Sequence, residues 1–195
     1  MPETFRFSVK IPKTITHVQK LVDCSDLLAS ALEEYRPLGE KLAVLLVQLP
    51  PSLAFDASLA EAFFRMLGEA TSADVVCEPR HPSWFEPKAG DLLTQYRVGR
   101  VAADPAKVDA AARPGGWEGI CYYRLHGSPR MYRSSYDDER LNRYAADIRK
   151  AAAQKRSVWC IFDNTASSAA AGNALDLMAM LGLHPGRNET PPTAV

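Results

Sequence analysis

Six short apolar runs in this 195-residue chain each end in residues that can hold or move charge. Lys10 closes the first run. The others close with Gln48-Leu49-Pro50-Pro51, Glu78-Pro79-Arg80-His81-Pro82-Ser83-Trp84, Asp104-Pro105, Arg124-Leu125-His126-Gly127 and Asp163-Asn164-Thr165. A buried parallel strand has no structural need for charge at its end. Charges at the carboxyl ends of successive strands are how open α/β sheets and (β/α) barrels assemble a site.

Strand side chains alternate, so residues two apart share a face. That period gathers Lys10, Gln48, Glu78, Arg80, Asp104, Arg124, His126 and Asn164 into one expected group pointing inward and upward. Three cations and a histidine meet two carboxylates, which favours an anionic ligand such as a phosphate, a carboxylate or a phosphodiester. In this reading Glu78, His126 and Asp104 supply acid–base chemistry. Lys10, Arg80 and Arg124 hold the anion, and Gln48 and Asn164 orient the substrate. His17 and Tyr136, in flanking loops, join the substrate-binding set. The competing reading is purely structural: Glu78 pairs with Arg80 or Arg124, and Asp104 with Lys10, in a network that fixes the fold. Trp84 reads as packing rather than as a stacking platform.

Strand-like and helix-like segments alternate along the chain. Strands are expected at Phe5–Ile11, Leu42–Leu49, Asp74–Glu78, Arg100–Ala103, Ile120–Leu125 and Val158–Phe162. Helices are expected after a cap at Ser25 or Asp26, after Asp56 with a stop at Gly68, around Asp91–Tyr96, over Asp137–Ala153 and from about Ser167 to Leu181. Residues 104–116 read as a loop or short helix. Strands apolar on both faces, with helices between them, argue for a parallel sheet under helices. Residues 1–183 read as one domain, and 184–195, with several prolines, as a poorly ordered tail.

Lys plus Arg (23) equals Asp plus Glu (23), so no global field draws the chain to nucleic acid or membrane. No apolar run approaches a membrane span, and no signal-peptide pattern opens the chain, so a cytoplasmic protein is expected. Cys24, Cys77, Cys121 and Cys160 form no CxxC pair and read as free thiols. Glu78, Asp104 and the histidines His17, His81 and His126 have the chemistry of divalent-metal ligands, but no HExxH-type pair supports a metal, and no cofactor is expected. No GxSxG elbow, Walker loop or GxGxxG fingerprint is present.

Phe5-Arg6-Phe7-Ser8-Val9-Lys10 with Ile15-Thr16-His17, then Gln48-Leu49-Pro50-Pro51, the Glu78–Trp84 motif, Arg124-Leu125-His126-Gly127, and Phe162-Asp163-Asn164-Thr165 with Asn173-Ala174, resemble the YecE-like family, domain of unknown function 72. The resemblance implies a TIM-type (β/α) barrel with these motifs at its carboxyl-end mouth. It implies no reaction. Family members usually begin with a Gly-Thr-Ser-Gly-Trp strand and a second strand carrying Glu, Asn and Phe-Tyr, neither of which is seen here. The resemblance therefore implies an incomplete, N-terminally truncated barrel of about six parallel strands, lacking the first two β/α units. Its edge strands would then favour self-association. The leading expectation is a barrel enzyme of hydrolase type acting on a phosphorylated or anionic substrate. The alternative is a non-catalytic protein that binds nucleic acid or a small anion, inactive through loss of the first two strands.

Overall fold

A computed structural model describes residues 2–183. The expectation for 184–195 lies outside the described residues. The chain alternates strands and helices as its pattern predicts. The strands are β1 (Phe7–Lys10), β2 (Leu42–Gln48), β3 (Asp74–Glu78), β4 (Val98–Arg100), β5 (Ala102–Asp104), β6 (Gly115–Gly116), β7 (Ile120–Leu125) and β8 (Ser157–Phe162). The helices are α1 (Ser25–Tyr35), α2 (Ala57–Ala70), α3 (Pro87–Gln95), α4 (Asp138–Ala153) and α5 (Ala169–Met180).

Local chemistry explains most boundaries. Asp56 accepts a hydrogen bond from the Leu59 amide and starts α2, which runs past Gly68 to Ala70. Asp137 caps α4 through the Arg140 amide, with Asp138 and Glu139 in the first turn, where the helix dipole favours acids. Pro87 opens α3 several residues before the expected start. No side chain caps α1, which follows Cys24 rather than a capping Ser25 or Asp26. Residues 104–116 contain a short 3-10 turn at Asp109–Ala112 and the two-residue β6.

The fold is α/β. The strands form two sheets, ordered β1-β2-β3-β4-β6 and β5-β7-β8, all parallel except β6, which runs antiparallel to β4. The expected strand around Arg100–Ala103 is divided. Its first part pairs with β3, Val101 donates to the Cys77 carbonyl, and its second part pairs with β7. One stretch of chain thus links the two sheets. Among the described residues β1 pairs only with β2 and β8 only with β7, so the strands do not close.

Three apolar clusters follow from this arrangement. Outside the first sheet, Leu45, Val47, Val75 and Cys77 pack under Leu28, Phe63, Phe64 and Leu93 of the helices. Outside the second, Cys121, Tyr123 and Leu125 pack under Leu141, Ala145 and Leu177. The third cluster joins the inner faces of both sheets through Val44, Leu46, Val76, Val101, Ile120 and Tyr122, with Trp159 and Ile161 against them. Gly99 lets β4 approach this inner layer. A Cβ there would lie 2.5 Å from the Ile120 side chain. Ser8 Oγ and Tyr122 OH, 2.7 Å apart, join the inner faces of β1 and β7. The four cysteines are free thiols, three of them buried. No helix among the described residues is long and apolar enough to cross a membrane.

Candidate functional site

The inner face ends in charge. Val76 and Glu78 share a face of β3, Leu46 and Gln48 share one of β2, and Tyr122 leads to Arg124 and His126 on β7. Glu78 is the hub, with 2% of its surface exposed. Its Oε1 accepts from Gln48 Nε2 (3.2 Å) and from Arg80 Nη2 (3.0 Å). Its Oε2 accepts from Arg124 Nη1 at 2.6 Å. Arg124 Nη2 reaches on to Asp163 Oδ2, also at 2.6 Å. Burial alone would raise the Glu78 carboxyl, but His126, Arg124 and Arg80 outweigh it and hold the pKa at about 2. Glu78 is therefore a carboxylate at neutral pH. Burial works against the Arg124 charge, yet Glu78 and Asp163 raise its pKa above the ordinary value.

His126 completes the cluster. It is 2% exposed, and neither ring nitrogen has an aligned hydrogen-bond partner. Nδ1 lies 3.1 Å from Asp163 Oδ2, and Nε2 lies 3.8 Å from Glu78 Oε1. Two backbone bonds past the strand ends set this geometry: His126 N–H donates to the Asp104 carbonyl, and Asp163 N–H to the Leu125 carbonyl. The chain then turns at Gly127, with φ +89°, where a Cβ would stand 2.8 Å from the Ser134 carbonyl oxygen. A cavity of about 30 Å³, room for one water, lies against Glu78, Arg80, Ala103, His126 and Met131.

Cations surround this centre. Lys10 is exposed at the end of β1, and His17 is exposed in the turn that follows, its Nδ1 2.8 Å from Thr16 Oγ1. Partial burial, then the fields of Lys10, Arg80 and Lys13, lower the His17 pKa. Lys10, Lys13 and Arg80 thus all lie near enough to His17 for their charges to act on it.

The structure brings Lys10, His17, Gln48, Glu78, Arg80, Arg124 and His126 together. Three other expected members sit elsewhere. Asp104 shares the outward face of β5 with Ala102, and its Oδ2 is 3.8 Å from Arg140 Nη1 rather than near Lys10. Asn164 is fully buried behind the site, donating to the Ser134 carbonyl and to Asn173 Oδ1. Tyr136 is 3% exposed, and its hydroxyl accepts from the Gly127 amide at 2.8 Å, so it braces the turn from below. His81 Nδ1 lies 2.8 Å from Ser83 Oγ and accepts from the Ser83 amide, which folds the short turn Pro82–Phe85. Trp84 is buried against Phe55 and Phe64 and donates to the Leu53 carbonyl, a packing residue.

Asp163 is the site residue that alternation misplaced. Trp159 and Ile161 face inward while Cys160 and Phe162 pack outward, so Asp163, not Asn164, continues the inner row. Among the described residues, no group of three or more His, Cys, Asp or Glu side chains is arranged to hold a metal.

The family model described as "Protein of unknown function DUF72" matches residues 1–194. The chain belongs to this family. It is 31% identical over 115 residues to the UPF0759 protein YecE of Escherichia coli K12, a match covering 56% of this chain and 42% of that protein. The chain thus matches less than half the length of that relative. The crystal structure of a DUF72 family protein from Thermotoga maritima is similar at 25% identity and TM-score 0.79, over 93% of this chain and 75% of the other. A DUF72 family protein from Enterococcus faecalis shares the fold at 19% identity and TM-score 0.79, over 100% of this chain and 80% of that one.

Proposed function

We propose that the two sheets are a six-strand arc of a TIM-type (β/α) barrel, and that its carboxyl-end cluster is a hydrolytic site for a phosphorylated or otherwise anionic substrate. The shared inner apolar layer, the parallel strands and the polar residues at one end all support the arc. The observation that carries the chemistry is His126: buried, with both nitrogens unaligned, and set between the carboxylates of Asp163 and Glu78.

Histidine is the side chain whose ordinary charge change lies closest to neutral pH, which suits proton transfer. His126 would take the proton of an attacking water as its oxygen bonds to the reacting centre. It would return that proton to the leaving oxygen as the ester bond breaks. Glu78, held ionised at a pKa of about 2, is too weak a base for this and orients His126 and the arginines instead. Arg80, Lys10 and His17 line the rim where the anion would enter, and Gln48 and Arg124 fix the hub beneath it.

A second reading, anion binding without turnover, is favoured by one observation. The strongest contacts of Arg80 and Arg124 go to Glu78 and Asp163, as a structural network requires. Calorimetric titration with inorganic phosphate, alongside hydrolysis of bis(p-nitrophenyl) phosphate and p-nitrophenyl phosphate, separates the two. The enzyme reading expects wild-type turnover, a loss of about 100-fold or more in His126→Gln, and phosphate affinity within about threefold of wild type. Equal hydrolysis by His126→Gln overturns His126 as the acid–base group. Phosphate binding with no turnover leaves the binding reading standing. Neither binding nor turnover refutes both.

A further inference from the structure

Tyr132 stands at the same mouth and has no role in the fold's core. The residue is 41% exposed, one of seven exposed large apolar residues among the described residues. Its backbone is left-handed, with φ +64°, a region that residues with a β-carbon avoid. The conformation is imposed from both sides, because the Tyr132 amide donates to the His126 carbonyl and the Tyr132 carbonyl accepts from the Ala166 amide. The Tyr132 and His126 rings meet at right angles, with centroids 5.7 Å apart at 88°. The ring therefore contacts the candidate acid–base group while the residue remains accessible to solvent. Glu78 lies 3.8 Å from His126 Nε2 and pairs with Arg80, and Arg80, Lys10 and Lys13 all act on His17. Arg130 and Arg133 flank Tyr132 in sequence, both exposed.

We propose that this site takes a nucleotide, with its phosphate on the Arg80 rim and its base stacked on Tyr132. This deepens the anion-site reading and rests on it. A buried tyrosine would serve packing. A tyrosine held open in a disfavoured backbone conformation beside a cationic site instead offers a flat, sequence-tolerant surface to a heterocycle. The two halves match the two halves of the ligand: charge for phosphate and an aromatic face for the base. Strain held at a site's edge by two backbone hydrogen bonds is the pattern expected where ring placement matters more than local comfort.

Calorimetric titration with AMP, GMP, CMP, UMP and ribose 5-phosphate tests this. At least one nucleotide is expected to bind wild type about tenfold or more tighter than ribose 5-phosphate. Tyr132→Gly removes the ring and accepts the positive φ, so it should fold as well as wild type. It should lose the nucleotide preference while keeping ribose 5-phosphate affinity, whereas Tyr132→Phe should keep both. Nucleotides binding no better than ribose 5-phosphate, or an undiminished preference in Tyr132→Gly, overturns the nucleotide and leaves the anion site intact. If ribose 5-phosphate and all four nucleotides fail to bind, the anion site falls and the nucleotide falls with it.

Discussion

His126 Nδ1 lies 3.1 Å from Asp163 Oδ2, although 37 positions separate the two residues in the chain. They meet because β7 and β8 pair in parallel register, Leu125 opposite Phe162, and each side chain sits one residue past that last pair. The same Asp163 oxygen receives Arg124 Nη2. One carboxylate thus answers both polar residues of the Arg124–His126 pair. Glu78 answers the same two from the opposite side. The imidazole is consequently fixed by ring contacts and charge rather than by an aligned hydrogen bond of its own.

Asp163→Asn should separate position from stability. Asp163 is one-third exposed, so loss of its charge should cost little folding free energy, about 1 kcal/mol or less. Asparagine cannot attract the imidazolium as a carboxylate does. If His126 transfers protons, turnover of a phosphate ester should fall roughly 10- to 100-fold. Turnover in Asp163→Asn equal to wild type would show that Asp163 does not position His126.

The Glu78 carboxyl carries a pH signature of folding. Its pKa falls from an ordinary 4.5 to about 2 in the folded chain. A depressed carboxylate pKa stabilises the fold fully above the unfolded value, and that stability is lost as pH falls through the folded value. The window therefore runs from about pH 5 down to about pH 2. The shift corresponds to about 3 kcal/mol, present at pH 7. Urea unfolding of wild type against Glu78→Gln should differ by about this amount at pH 7 and converge toward pH 2. A constant difference across that window would assign the loss to packing instead of charge.

Asn173 should matter to stability and not to ligand. Its Oδ1 accepts from the Tyr136 amide, Ser135 Oγ and Asn164 Nδ2, and its Nδ2 donates to the Tyr136 carbonyl. All of this lies behind the site, where Tyr136 braces the Gly127 turn. Asn173→Ala leaves several buried polar groups without partners, at a cost of about 3 kcal/mol, or roughly 10 °C in Tm. Phosphate affinity measured well below that Tm should match wild type.

Strand parity decided which site residues were legible in the sequence. On β2, β3 and β7 the polar residue two beyond an inner apolar residue was itself inner, so Gln48, Glu78, Arg124 and His126 could be grouped by counting. On β8 both faces are apolar, with Trp159 and Ile161 inside and Cys160 and Phe162 outside, and hydrophobicity carries no parity. The outward row of Cys160 and Phe162 leads to Asn164, whereas the inward row of Trp159 and Ile161 leads to Asp163. On the strand through Val101, the handover from β3 to β7 leaves Asp104 on the outer face with Ala102. Tyr136 is far from any strand end that fixes direction. Its role depends on the Gly127 turn, which only the folded loop defines.

Self-association should follow from the strand edges. The Ser157 amide donates to Gly119, just before β7, and the Asp163 amide to Leu125 at its end, so alternation turns those of Val158, Cys160 and Phe162 toward the open side. On β1 the Ile11 amide donates to Leu46, which turns those of Ser8 and Lys10 outward. Two parallel strands thus present unpaired amides, and such edges template pairing with another chain. Sedimentation velocity at increasing protein concentration should show species heavier than the 21.4 kDa monomer. Val158→Pro removes an outward amide while sparing the bonds to β7, and should weaken association by roughly tenfold. A monomer at every concentration, or association unchanged by Val158→Pro, would show that these edges do not pair between copies.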